Sequence, residues 1–151
     1  MILEKTIKKG SEILKKNNIT TYELDAEILL SNIMGVKRES FITNNKSDIS
    51  DKSIKAFDKA IERRVNNEPI AYIIGKKEFW SENFFVNSNT LIPRPETELL
   101  IYKIVKYFKN KNINILDIGT GSGCILLSIL KELKLSRGTG IDISMEAVQT
   151  A

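Results

Sequence analysis

The run Leu116-Asp117-Ile118-Gly119-Thr120-Gly121-Ser122-Gly123 leaves this chain few architectures, because it joins an apolar strand to an apolar helix through three alternating glycines. Glycines at such a junction let the backbone turn tightly and approach a ligand closely, with the amino terminus of the following helix facing it. The pattern predicts a strand over Ile113 to Ile118, a helix from about Ser122 to Leu133 and a second strand near Thr139 to Ile143. Strand, helix, strand in that order implies a parallel pair with a helical crossover. Ser144 is placed to cap a further helix, with Glu146 in its first turn. Two parallel strands cannot bury both faces of a sheet, so the architecture calls for more βα units and the domain is expected to be unfinished as written.

Upstream the period changes twice. From Ile2 to about Asn67 apolar residues recur at helical spacing: Ile7, Ile13 and Leu14; Leu24, Ile28, Leu29 and Ile33; Ile54, Phe57, Ile61 and Val65. Three or four amphipathic helices follow, the first broken at Asn17-Asn18, the second capped by Thr20 or Thr21 and ended by Gly35, the last long one starting at Ser50 or Asp51. After Pro69 come Ile70 to Ile74, Gly75, and two aromatic runs, Glu78-Phe79-Trp80 and Phe84-Phe85-Val86, about the polar Ser81-Glu82-Asn83. Aromatic and β-branched runs around a short polar turn predict a β-hairpin. The expected organisation is a helical domain over 1–68, a hairpin connector over 69–90, and a second domain over 91–151 opening with a helix from about Glu96 to Phe108.

Composition narrows the chemistry. With 151 residues, 42% of them hydrophobic, the chain is long enough for one domain and part of another. No run reaches the roughly 18 apolar residues of a membrane span, so a soluble, cytoplasmic protein is expected. The single cysteine, Cys124, rules out an intrachain disulfide, and the absence of histidine leaves no Cys/His zinc site and no imidazole base. No metal is expected. Positioning, carboxylates or a reactive cofactor must then carry any reaction. The 23 Lys and Arg against 19 Asp and Glu give +4, but the cations are interleaved with acids, as on an ordinary solvated surface.

The glycine spacing discriminates among cofactors. The dinucleotide fingerprint needs glycine at its first, third and sixth positions, here Gly119, Gly121 and Cys124, so cysteine stands where the third glycine belongs. No Gly-Lys-Ser or Gly-Lys-Thr follows, which disfavours a nucleoside-triphosphate loop. Asp142 ends the second strand roughly 20 residues after the loop, where a carboxylate can accept both hydroxyls of a ribose. That placement supports an adenosine-containing cofactor without choosing which. Arg94 lies between Pro93 and Pro95, a rigid extended segment suited to walling a pocket; read plainly, Pro95, Glu96 and Glu98 also suit a helix start.

The Gly-x-Gly-x-Gly loop preceded by an acid resembles the first motif of class I methyltransferases. Together with Pro69-Ile70-Ala71-Tyr72-Ile73-Ile74-Gly75, Glu78-Phe79 and Leu91-Ile92-Pro93-Arg94-Pro95-Glu96-Thr97-Glu98, in this order and spacing, the chain resembles the release-factor glutamine methyltransferase family over essentially its whole length. The resemblance implies an α/β protein: an amino-terminal helical bundle that contacts the substrate, a hairpin linker, and the start of a Rossmann-like class I methyltransferase domain. It implies S-adenosylmethionine as cofactor and peptide-chain release factors as partners, with methyl transfer to the glutamine amide of a Gly-Gly-Gln motif. Gly119, Thr120, Gly121, Ser122 and Gly123 would hold the methionine end, Asp117 would help to shape it, and Asp142 would bind the ribose. Arg94, Pro95 and Thr97 would wall the pocket. The family's amide-gripping Asn-Pro-Pro-Tyr is missing, since Pro69, Pro93 and Pro95 are the only prolines and none is adjacent to another. The catalytic residues therefore stay unassigned, and the chain by itself is expected not to turn over.

Three other readings stand beside this one. A methyltransferase of exocyclic amino groups in nucleic acid shares the cofactor and a similar tetrapeptide, but not the Ile-Pro-Arg-Pro-Glu-Thr-Glu segment. A non-catalytic module could bind a release factor without methylating it. A nicotinamide-dependent oxidoreductase is weakened by Cys124. No direct contact with nucleic acid or membrane is expected, and the sequence fixes no oligomeric state.

Overall fold

The computed structural model describes residues 2–43 and 47–151. Its contacts divide the chain into two compact units, one ending at Ile74 and the other beginning at Gly75.

The first unit is helical: α1 (Leu3–Lys16), α2 (Tyr22–Met34), α3 (Ser40–Thr43), α4 (Asp51–Val65) and α5 (Ile70–Ile74). Local chemistry sets the ends as the sequence suggested. Gly35 closes α2 in the left-handed region at φ 67°, and the Ser50 hydroxyl accepts the N–H of Ser53 at the start of α4. Thr21 is the residue before α2, yet its hydroxyl donates to the Asp25 carboxylate at 2.8 Å instead of capping the backbone. Apolar faces of α1, α2 and α4 meet in one core that includes Leu3, Leu14, Leu29, Leu30, Phe57 and Ile61. Asp25 is buried in that layer and paired with Arg64 at 2.7 Å, so its charge is matched where water cannot reach it.

Residues 70–74 differ from expectation. Ile70 to Ile74 form a short helix that packs within the first unit, and no part of them is strand. A five-residue apolar run has too little length for periodicity to decide between helix and strand. Tertiary bonds decide it: the Arg63 guanidinium pairs with Glu68 and donates to the carbonyls of Tyr72 and Ile73, occupying acceptors that the end of a helix leaves free.

The second unit opens with the hairpin, β1 (Lys76–Phe79) and β2 (Glu82–Phe85), antiparallel with Phe79 opposite Glu82. The hairpin is thus part of this unit, and its turn is Trp80-Ser81 instead of Ser81 to Asn83. Both turn residues have positive φ, 51° and 58°, as the mirror-image turns of tight hairpins require. Neither is a residue that favours this region. Outside bonds hold them: the Trp80 backbone N–H donates to Glu98 and its indole N–H to Glu132, each at 2.9 Å, while Lys131 pairs with Glu82.

A 3₁₀ turn at Pro95–Thr97 leads into α6 (Glu98–Phe108), followed by β3 (Asn114–Ile118), α7 (Cys124–Glu132), β4 (Arg137–Ile141) and α8 (Met145–Thr150). Strands β3 and β4 pair in parallel, Asn114 opposite Arg137 and Ile118 opposite Ile141, with α7 as the crossover. β4 begins and ends two residues earlier than the sequence pattern suggested. One face of this sheet packs with α6 and α7 through Ile115, Ile101 and Ile129. The other leaves Leu116, Ile118 and Ile141 exposed. No described helix is long and apolar enough to cross a membrane.

The closest approach in the first core is at Gly10, where an added Cβ would lie 2.5 Å from Cζ of Phe57. Gly10→Ala is expected to lower unfolding free energy by about 1 kcal/mol, the overpacking cost exceeding the gain in helix propensity. In a Phe57→Ala background the same change should instead stabilise by up to about 1 kcal/mol. Urea titration of the four variants measures the sign reversal; its absence would mean that Phe57 does not pack on Gly10.

Candidate functional site

Strand β3 delivers the glycine loop, and β4 delivers Asp142 beside it. Gly119, Gly121 and Gly123 all lie in the left-handed region, at φ 79°, 56° and 74°, which side chains disfavour and glycine does not. Alternating left-handed residues fold Gly119 to Gly123 into a compact turn, and α7 starts directly after it. The N–H groups of Gly119 and Thr120 both donate to the Ile141 carbonyl, at 2.8 and 3.0 Å, so the turn is tied to the end of β4.

Asp142 completes the junction. One carboxylate oxygen accepts the Gly121 N–H at 2.9 Å and the other accepts the Ser144 N–H at 3.0 Å. Each oxygen keeps a lone pair toward solvent. These bonds, to Ser144 first and Gly121 next, hold the carboxyl below the usual aspartate range. The Ser144 hydroxyl then caps α8 by accepting the Ala147 N–H at 3.1 Å.

Thr120 and Asp117 form a second tie. The Thr120 hydroxyl donates to the Asp117 carboxylate at 2.9 Å, and the Thr120 side chain packs against Gly140 of β4. An added Cβ on Gly140 would lie 2.8 Å from the Thr120 hydroxyl oxygen, so glycine in this strand is a steric requirement. Sequence reasoning missed Gly140; a glycine in a short strand next to a ligand loop is the signal that could have found it. Burial pushes the Cys124 thiol up, so Cys124 is a packed thiol and no ready nucleophile.

Facing the loop is the segment with two prolines. Arg94, Thr97, Gly119, Gly121 and Ser122 line one cavity of about 100 Å³, together with Leu91 to Pro93. The structure therefore brings together Arg94, Thr97 and the glycine loop; Pro95 starts the 3₁₀ turn, and Asp117 and Asp142 lie on the strand side of the loop. A larger cavity, about 610 Å³, lies in the first unit over Leu3, Ile7 and Phe41, rimmed by charges of both signs, Glu23 and Glu27 with Lys8 and Arg38 among them.

Residues 5–75 match the PrmC N-terminal domain family, a span that closes next to the boundary between the two units. Along nearly its whole length the chain is similar to proteins named release factor glutamine methyltransferase: 43% identical to that of Leptospira interrogans, over 96% of this chain and 51% of the relative. For that of Caulobacter vibrioides the identity is 37%, over 100% of this chain and 53% of the relative. A protein of Rickettsia bellii named bifunctional methyltransferase is 35% identical over 99% of this chain and 32% of its own length. The chain thus spans about half the length of the first two and a third of the other.

Two outcomes test the junction. Gly140→Ala should cost about 1 to 3 kcal/mol by displacing Thr120, read as a lower urea midpoint; an unchanged midpoint would show that Thr120 does not rest on Gly140. For Asp142, whose carboxyl is lowered by the bonds it accepts in the folded state, the linkage sign places its contribution above the ordinary value of 3.8 and removes it as pH falls through the lower folded value. A ¹³C titration of the Asp142 carboxyl should give a midpoint below 3.8; a midpoint at or above that value would mean the two N–H bonds are not formed in solution.

Proposed function

We propose, from the similarity to the PrmC N-terminal domain and to release factor glutamine methyltransferases, that this chain is part of such a methyltransferase, and that its second unit binds S-adenosylmethionine in a Rossmann-like class I site, for methyl transfer to the glutamine amide in the Gly-Gly-Gln motif of a release factor. The observation that carries the reading is the glycine loop between β3 and α7, tied to β4, with Asp142 beside it. The residues fit the cofactor on three counts. Gly121 has no neighbour in the space its missing Cβ would occupy, apart from one carbonyl oxygen at 4.0 Å, so a ligand can come against the backbone there. Asp142 has carboxylate lone pairs left over for a ribose diol. The Arg94 and Thr97 wall closes the opposite side.

When bound, S-adenosylmethionine supplies an electrophilic methyl group on a sulfonium. The chain's own part is positioning. The fixed loop removes the entropy of aligning the methionine end, and Asp142 sets the nucleoside in register by charge-assisted hydrogen bonds. A primary amide is a weak nucleophile, so rate must come from alignment and from hydrogen bonds that orient the amide, and the lack of histidine is no obstacle. The segment that grips the amide in this family, Asn-Pro-Pro-Tyr, is not in these 151 residues. The helical unit would meet the release factor, consistent with the PrmC N-terminal domain match over residues 5–75.

Isothermal titration with S-adenosylmethionine tests the reading. We expect saturable binding, weakened roughly tenfold or more in Asp142→Ala. Asp142→Asn should fall between, because it keeps an acceptor for the loop. Binding of NADH in preference to S-adenosylmethionine would replace the proposal with a nicotinamide enzyme. Equal affinity in wild type and Asp142→Ala would remove Asp142 from the site.

A further inference from the structure

We infer that Arg94 reads a carboxylate: it is the group that recognises the amino-acid end of the cofactor, and it sets the preference for a ligand carrying that negative charge. The inference rests on the cofactor reading above and assigns the one cation among the described residues that line that cavity.

Backbone chemistry puts Arg94 where it is. A residue before proline is driven out of the helical region, and Arg94 is extended at φ −100° and ψ 135° although a 3₁₀ turn begins at the next residue. Pro93 fixes the backbone on the other side and is itself buried. The guanidinium thus departs from a rigid segment, so little backbone entropy remains to be lost when it engages a ligand. Among the described residues its side chain makes no hydrogen bond or ion pair, whereas Arg63 is matched to Glu68 and Arg64 to Asp25.

The surroundings favour an anion. No acidic residue lines the cavity that Arg94 shares with Thr97 and the glycine loop. The two nearby acids of the strand ends are already engaged, Asp117 by the Thr120 hydroxyl and Asp142 by two backbone N–H groups. Size points the same way. At about 100 Å³ the cavity is smaller than the roughly 300 Å³ at which ligand pockets begin, so it suits the amino-acid tail and not the nucleoside. A guanidinium meets a carboxylate through two parallel N–H bonds, a geometry that a lysine cannot reproduce.

The test titrates S-adenosylmethionine and its decarboxylated analogue into wild type, Arg94→Ala and Arg94→Lys, with thermal melts to confirm that the exposed substitutions leave the fold intact. The expected result is a loss of roughly tenfold or more for S-adenosylmethionine in Arg94→Ala, with Arg94→Lys between, and no more than about a twofold change for the analogue. An equal loss for both ligands would overturn the inference, since a merely structural role would weaken them alike; so would no loss for either. If wild type binds neither ligand, the cofactor reading itself falls, and the inference with it.

Discussion

The carbonyl of Ile141 accepts the N–H groups of both Gly119 and Thr120, and Asp142, the next residue, accepts that of Gly121. Three successive loop amides are thus satisfied by the last residue of β4 and the residue after it. The glycine loop would otherwise carry unpaired donors in a turn with little side-chain packing to steady it. Its conformation therefore depends on the parallel register of β3 and β4, and that register depends in turn on the crossover helix α7. Gly138 and Gly140 serve the same junction from the strand side, one beneath Leu126 of α7 and the other beneath Thr120.

Much of this was legible in the sequence because it is local. The alternating glycines, the caps at Ser50 and Ser144 and the stop at Gly35 each act within a few residues, so residue type and spacing suffice. What was not legible depends on partners far along the chain. Ile70 to Ile74 became a helix with Arg63 at its end, and Trp80-Ser81 became the hairpin turn with Glu98 and Glu132 holding it, although neither residue favours positive φ. In both places tertiary bonds overrode local preference.

The candidate site divides the same way. Asp117, the loop glycines and Asp142 could be named from their positions around a strand and helix. The double use of Asp142, which accepts one N–H from the glycine loop and one from Ser144, could not, because Gly121 lies on another element. Nor could the strand glycines be distinguished from turn residues without the side chains that press on them.

The open face of the parallel sheet carries a colloidal consequence. Leu116, Ile118 and Ile141 present branched apolar side chains to water on adjacent strands, and both strands have an outer edge with free backbone groups. Such a surface is a template for intermolecular pairing. The helical unit has no comparable sheet edge among its described residues, so self-association of these 151 residues would start from the second unit and rise with concentration.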